Sequence, residues 1–159
     1  MYTITQLAER VVQRLTARGE TLATAESCTG GLTAAALTEV PGASRVFRFG
    51  WVTYCNEAKV QELHVPAALI EQHTVVSEPV VQAMADSARQ QAAADYALAV
   101  SGNAGPTAPA GEPPIGTVCI GLATSAATRA RTIHRPGLSR HDFRLMIVRE
   151  ALQLLLDEL

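Results

Sequence analysis

Residues 21–40 read "TLATAESCTGGLTAAALTEV". The first five residues, "TLATA", have the short apolar character of a buried strand ending at Ala25. The run from Thr29 to about Val40 is alanine-rich and predicts a helix. Between them "ESCTGG" places a carboxylate, a hydroxyl, a thiol and two glycines on one strand-to-helix turn. A strand that turns directly into a helix is the unit of an α/β layered sheet.

The segments on either side keep that alternation. Leu7, Val11, Val12 and Leu15 recur at helical spacing, with Thr5 as the expected N-cap and Gly19 as the stop. Residues 46–54, "VFRFGWVTY", are rich in β-formers and predict a strand. Asn56 then reads as the N-cap of "EAKVQELH", and a turn or two of helix follows Pro66. Ser77 is placed to cap a longer helix that carries Met84, Ala85 and Ala88 on its buried side, with Pro79 tolerated in its first turn. "YALAVSG" is an apolar strand that runs into a glycine- and proline-rich loop over residues 102–114. "GTVCIGLAT" and "TRARTIHR" predict a hairpin, and Ser139 with Asp142 reads as a capping box for a leucine-rich last helix. The expectation is one domain over residues 1–159: a three-layer α/β/α sandwich around a mixed, mostly parallel sheet.

Composition narrows the functional classes. The 159 residues are 48% hydrophobic and 18% charged, as in a globular chain, and the net charge of -2 gives no general attraction to nucleic acid or anionic membrane. No apolar run approaches membrane-spanning length, and the first residues have charges inside their apolar pattern, unlike a signal peptide. Cys28, Cys55 and Cys119 have no paired spacing, which favours a reduced, cytoplasmic setting over a disulfide framework. No cysteine–histidine cluster has zinc-ligand spacing; neither a metal nor another cofactor is expected.

Three segments concentrate polar groups that could do chemistry. Ser27 follows a predicted strand and precedes a helix, where the backbone N–H groups around Thr29 to Gly31 could hold a developing oxyanion and so place Thr29, Gly30 and Gly31 at the substrate. Gly30 and Gly31 would let a substrate approach the backbone. On this segment alone, Ser27 or Thr29 capping the helix is the simpler role. Cys28 could compete as a nucleophile, but a small buried packing residue is the preferred role for it. A serine nucleophile needs a base. His64, His73, His134 and His141 all sit in polar stretches that predict surface positions.

Lys59 is the chain's one lysine, in "YCNEAK", with Tyr54 just before it. With Asn56 as the cap, Lys59 falls at the third helical position, where the dipole disfavours a cation. A lysine base near neutrality needs its pKa lowered by about three units, roughly 4 kcal/mol, and burial with the dipole could supply that. The ordinary alternative is a solvated surface lysine. Tyr54 could donate to the serine oxygen or relay a proton. The third segment, "SGNAGPTAPAGEPPIGT" over residues 101–117, supplies Gly102, Asn103 and Gly105 on a loop suited to a carboxylate, phosphate or ribose. Arg140 and Arg144, four apart at the start of the last helix, could clamp a phosphate.

"TAESCTGG", "VTYCNEAK" and "SGNAGPTAPAGEPPIGTV" in this order resemble the CinA C-terminal domain family, and the likeness runs over nearly the whole chain. Stand-alone members of that family include nicotinamide mononucleotide deamidases. The resemblance implies a three-layer α/β/α fold, a homodimer, and hydrolysis of the carboxamide of a pyridine nucleotide to the carboxylate and ammonia. It places a serine, tyrosine and lysine triad on Ser27, Tyr54 and Lys59. The chain departs from the family's pattern at Thr107, Ala108 and Pro109, where a glycine run is usual, and at Cys55, where serine is common. The first change would narrow the phosphate or ribose site. Three alternatives stay open on the residues: a nucleotide- or partner-binding domain without turnover, a serine amidase for another small amide, and a purely structural interaction domain.

Overall fold

The computed structural model describes all residues, Met1–Leu159. Its elements are α1 (Ile4–Arg18), β1 (Leu22–Glu26), α2 (Leu32–Thr38), a single 3-10 turn at Ala43–Arg45, β2 (Phe47–Val52), α3 (Asn56–Leu63), α4 (Ala67–His73), α5 (Glu78–Ala92), β3 (Tyr96–Gly102), β4 (Thr117–Ala123), β5 (Thr128–His134) and α6 (Arg140–Glu158). The five strands form one sheet in the order β2-β1-β3-β4-β5. β1 pairs in parallel with β2 and β3, while β4 is antiparallel to both β3 and β5. Only β4 therefore runs against the others, and the expected mixed α/β sandwich is the observed fold.

The two faces of the sheet carry residues of different size. Leu22, Leu98, Val100, Val118, Ile120 and Leu122 pack with α1, α2 and α6 in the larger core. Ala23, Ala25, Ala97, Ala99, Cys119 and Ala123 pack with Leu63 of α3 and Val80, Val81, Met84, Ala85 and Ala88 of α5. Strand side chains alternate between faces, so one sequence register builds both layers. The small residues let α5 lie close to the sheet. A Cβ on Gly121 would stand 2.8 Å from the Val81 carbonyl oxygen, so even alanine is excluded at that point.

Several element ends differ from the sequence expectation, each for a local reason. α1 is capped by Thr3, not Thr5: Thr3 Oγ1 accepts from Gln6 N, and Gln6 Oε1 accepts from Thr3 N. That reciprocal pair satisfies two groups the helix would leave open. Gly19 ends α1 at φ +65°, as expected. α2 starts at Leu32, three residues beyond Thr29, because Gly30 and Gly31 take φ values of +58° and +100° that cannot continue a right-handed helix. Cys55, not Asn56, is the N-cap of α3, so Lys59 is the fourth helical residue. Ser77 sits at the N-cap of α5, but its hydroxyl donates to Thr74 O and caps nothing. Ser139 caps α6 by accepting from Asp142 N.

β1 is the hinge of the topology. The chain leaves β1 through α2 to reach β2 on one side, then returns past β1 through α3, α4 and α5 to β3 on the other. The carboxyl ends of β1, β2 and β3 thus open onto one crevice. In open α/β sheets such a crevice is the usual place for a ligand.

Candidate active site

Strand parity divides the work at the end of β1. Glu26 follows Leu22 and Thr24 onto the face covered by α2. Ser27 continues the series of Ala23 and Ala25 toward the face covered by α3. The Glu26 side chain is buried, with 2% of the residue exposed. Its Oε1 accepts from Thr29 Oγ1 at 2.6 Å and Thr33 N at 2.9 Å, and its Oε2 accepts from Ala34 N at 3.1 Å. The carboxylate occupies the positive end of α2 and ties the whole turn to it. Sequence reasoning missed Glu26. The available signal was a lone carboxylate ending an apolar strand just before unpaired helix donors.

This capping corrects the expected roles of three residues. Thr29 is buried on the α2 side and spends its hydroxyl on Glu26. Gly30 donates its N–H to Ser27 O, and Gly31 supplies the left-handed turn. None of the three lines the crevice. Arg144 does not line it either. Its Nε donates to Cys28 O at 2.9 Å and its Nη2 to Thr29 O at 3.1 Å, so it braces the turn from behind.

The crevice is a cavity of about 320 Å³ whose lining includes Ser27, Tyr54, Lys59, Asn103, Glu112 and Arg140. That volume lies within the range of small-molecule sites. Ser27 is 8% exposed and Lys59 1% exposed. Lys59 Nζ and Ser27 Oγ are 2.9 Å apart. The lysine reaches the serine because helical side chains lean toward the N-terminus, and α3 begins where β2 ends, beside β1. Nζ donates to Thr53 O at 2.7 Å and Tyr54 O at 3.4 Å. No carboxylate pairs with it. Burial pushes the Lys59 pKa below the ordinary lysine value, while Cys55, Cys28 and the Glu112 carboxylate pull in the opposite direction. A hydroxyl bonded to an amine with a lowered pKa is the pairing that makes a nucleophile from serine.

Cys28 is buried, and desolvation pushes its thiol pKa up to about 12. The thiolate that attack requires is therefore absent near neutral pH. Tyr54 is 59% exposed. Its hydroxyl accepts from Arg140 Nη2 at 2.9 Å, and no hydrogen bond joins it to Ser27. Arg140 also donates to Gly105 O at 2.7 Å, so it links Tyr54 to the loop after β3. That loop brings Gly102, Asn103 and Gly105 to the cavity, together with Thr107 and Pro109 from the unusual "TAP" segment. Asn103 Nδ2 donates to Pro113 O at 2.7 Å and thereby shapes the loop. Cys28, Ala104 and Gly105 line the cavity, and their backbone N–H groups meet no protein acceptor. His64, His73, His134 and His141 are exposed, as expected.

Residues 4–159 match the CinA C-terminal domain, the whole of the site included. The chain belongs to the CinA C-terminal domain family. It is 51% identical over 120 residues to an Escherichia coli protein described as nicotinamide-nucleotide amidohydrolase PncC, covering 76% of this chain and 73% of that one. It is 47% identical over 152 residues to a CinA-like protein from Akkermansia muciniphila. That match covers 95% of this chain but 36% of the relative, so the chain spans about a third of that longer protein. Among solved CinA-type structures, the competence or damage-inducible protein from Enterobacter asburiae superposes with a TM-score of 0.96 at 35% identity, covering 99% of both chains. No helix is long and apolar enough to cross a membrane.

Proposed function

We propose that the protein hydrolyses the carboxamide of nicotinamide mononucleotide, releasing ammonia and nicotinate mononucleotide, with Ser27 as nucleophile and Lys59 as base. The observation that carries this is the 2.9 Å approach of Lys59 Nζ to Ser27 Oγ inside the cavity. The substrate follows from the Escherichia coli relative, whose description names a nicotinamide-nucleotide amidohydrolase.

A neutral amine has two hydrogens and one lone pair. The carbonyls of Thr53 and Tyr54 take the hydrogens, which leaves the lone pair for the Ser27 hydroxyl. Lys59 accepts the Ser27 proton as Oγ bonds to the amide carbon. The oxyanion of the tetrahedral intermediate meets the Cys28 N–H, the unpaired donor next to the nucleophile. Lys59 then passes its proton to the departing nitrogen, the C–N bond breaks, and ammonia leaves. Water attacks the resulting ester as Lys59 removes its proton. The ester C–O bond breaks, Ser27 regains a proton, and the carboxylate departs. No step calls for a metal.

Arg140 and the unpaired N–H groups of Ala104 and Gly105 suit the phosphate and ribose. Tyr54 accepts from Arg140, so its own hydroxyl hydrogen remains for the substrate. A coupled ammonia assay tests the proposal. Nicotinamide mononucleotide is expected to yield one ammonia per molecule, and free nicotinamide, which lacks the ribose phosphate, far less. No ammonia from the nucleotide would remove this substrate.

A further inference from the structure

Glu112 is the one acidic side chain in the cavity lining. It belongs to the loop between β3 and β4, yet both of its oxygens are held by a distant segment. Oε1 accepts from Val75 N at 2.9 Å and Oε2 from Val76 N at 3.2 Å. The two adjacent N–H groups fix the carboxylate's position and hold it as an acceptor. They do not neutralise it, and no lysine, arginine or histidine pairs with it. The cavity's guanidinium, on Arg140, is engaged elsewhere, with Tyr54 and Gly105. Glu112 is thus a placed negative charge without a cation, and its field reaches the Lys59 amine.

A ligand complementary to such a charge is a cation. Nicotinamide attached to ribose through its ring nitrogen is a pyridinium, with a positive charge delocalised over a ring that has no N–H to donate. A fixed anion attracts that charge, which a neutral hydrogen-bond donor does not, and Glu112 is the anion that this cavity offers. We propose that Glu112 is the counter-charge for the substrate's pyridinium ring and sets a preference for cationic over neutral aromatic carboxamides. This deepens the substrate assignment above and rests on it.

The test compares two nucleotides with the same ribose phosphate and the same carboxamide: nicotinamide mononucleotide, and benzamide riboside 5′-phosphate, whose ring is uncharged. Dissociation constants are measured by calorimetry on Ser27→Ala, which removes the attacking oxygen. The cationic ligand is expected to bind about ten-fold tighter or better, the scale of one fixed charge in a partly screened site. Adding Glu112→Gln is expected to cut that preference to about three-fold or less, with the neutral ligand little changed. Glu112→Asp, which keeps the charge, should retain the preference even if both ligands weaken. Equal weakening of both ligands by Glu112→Gln, or an undiminished preference, would overturn the inference. Wild-type turnover of nicotinamide mononucleotide with either of those results sinks the counter-charge alone. Absence of wild-type ammonia release sinks the substrate assignment with it.

Discussion

Lys59 Nζ lies 2.9 Å from Ser27 Oγ, across 32 residues of chain and between two different elements. The amine is buried without a carboxylate partner, surroundings that favour its uncharged form. Arginine at this position would keep a cation and lose the lone pair. Lys59→Arg is expected to lower kcat by about three orders of magnitude or more, the upper range for loss of a positioned base acting on a nucleophile. Steady-state ammonia release checks this, with circular dichroism to verify folding. Near-normal turnover by a folded Lys59→Arg would exclude the base role.

The lowered pKa of Lys59 gives both activity and stability a pH dependence. The logarithm of kcat/KM should rise with pH on the acid side, with an inflection below the ordinary value of 10.5. Between the folded-state pKa and 10.5 the unfolded chain holds a proton at Lys59 that the native chain does not. Stability from this group therefore grows as pH rises through that window and is lost as pH falls toward the folded-state pKa. Denaturant unfolding at several pH values should give wild type a more positive slope of stability against pH than Lys59→Met. Equal slopes would mean that folding leaves this pKa where it was.

Cys28 supplies a control beside Ser27. Burial pushes its thiol up to about 12, which disfavours the thiolate that attack would need and leaves it a packing role. Cys28→Ala should keep kcat within about three-fold and cost about 1 kcal/mol of stability, as for a small buried group. Loss of turnover by a hundred-fold or more in a folded Cys28→Ala would transfer the nucleophile role to sulfur.

Glu26 is expected to matter through the turn that it holds. Removing its carboxylate leaves Thr33 N, Ala34 N and the Thr29 hydroxyl without their acceptor. Glu26→Ala should cost about 2–4 kcal/mol, the scale of a lost cap plus buried unpaired donors. Glu26→Gln, which keeps one oxygen, should cost less. Urea denaturation reads both values, and a Glu26→Ala variant as stable as wild type would show that the turn holds without it.

The order of helices and strands was legible because each element carries local signals. Gly19 closes α1, "YALAVSG" coincides with β3, and the late hairpin follows from two β-rich runs. The errors fell on caps and on the glycine turn. Thr3 shares its type with Thr5, and only the reciprocal bonds with Gln6 single it out. Gly30 and Gly31 read as room for a substrate, whereas the backbone uses them to turn. The spacing of Arg140 and Arg144 suggested one phosphate clamp. The helix instead points one toward Tyr54 and the other toward the back of the Ser27 turn. The pairing of Ser27 with Lys59 has no local signature: Lys59 entered as the chain's one lysine once the histidines read as surface residues, and the likeness of motifs then joined the two in one triad. The grip of Glu112 on Val75 and Val76 crosses 36 residues or more and left no mark in the sequence pattern.

The most direct measurement is ammonia release from nicotinamide mononucleotide by Ser27→Ala beside wild type, with Lys59 intact in both. The account predicts steady release by wild type and a loss of about four orders of magnitude or more in the folded variant. Release by Ser27→Ala at a rate comparable to wild type would contradict it.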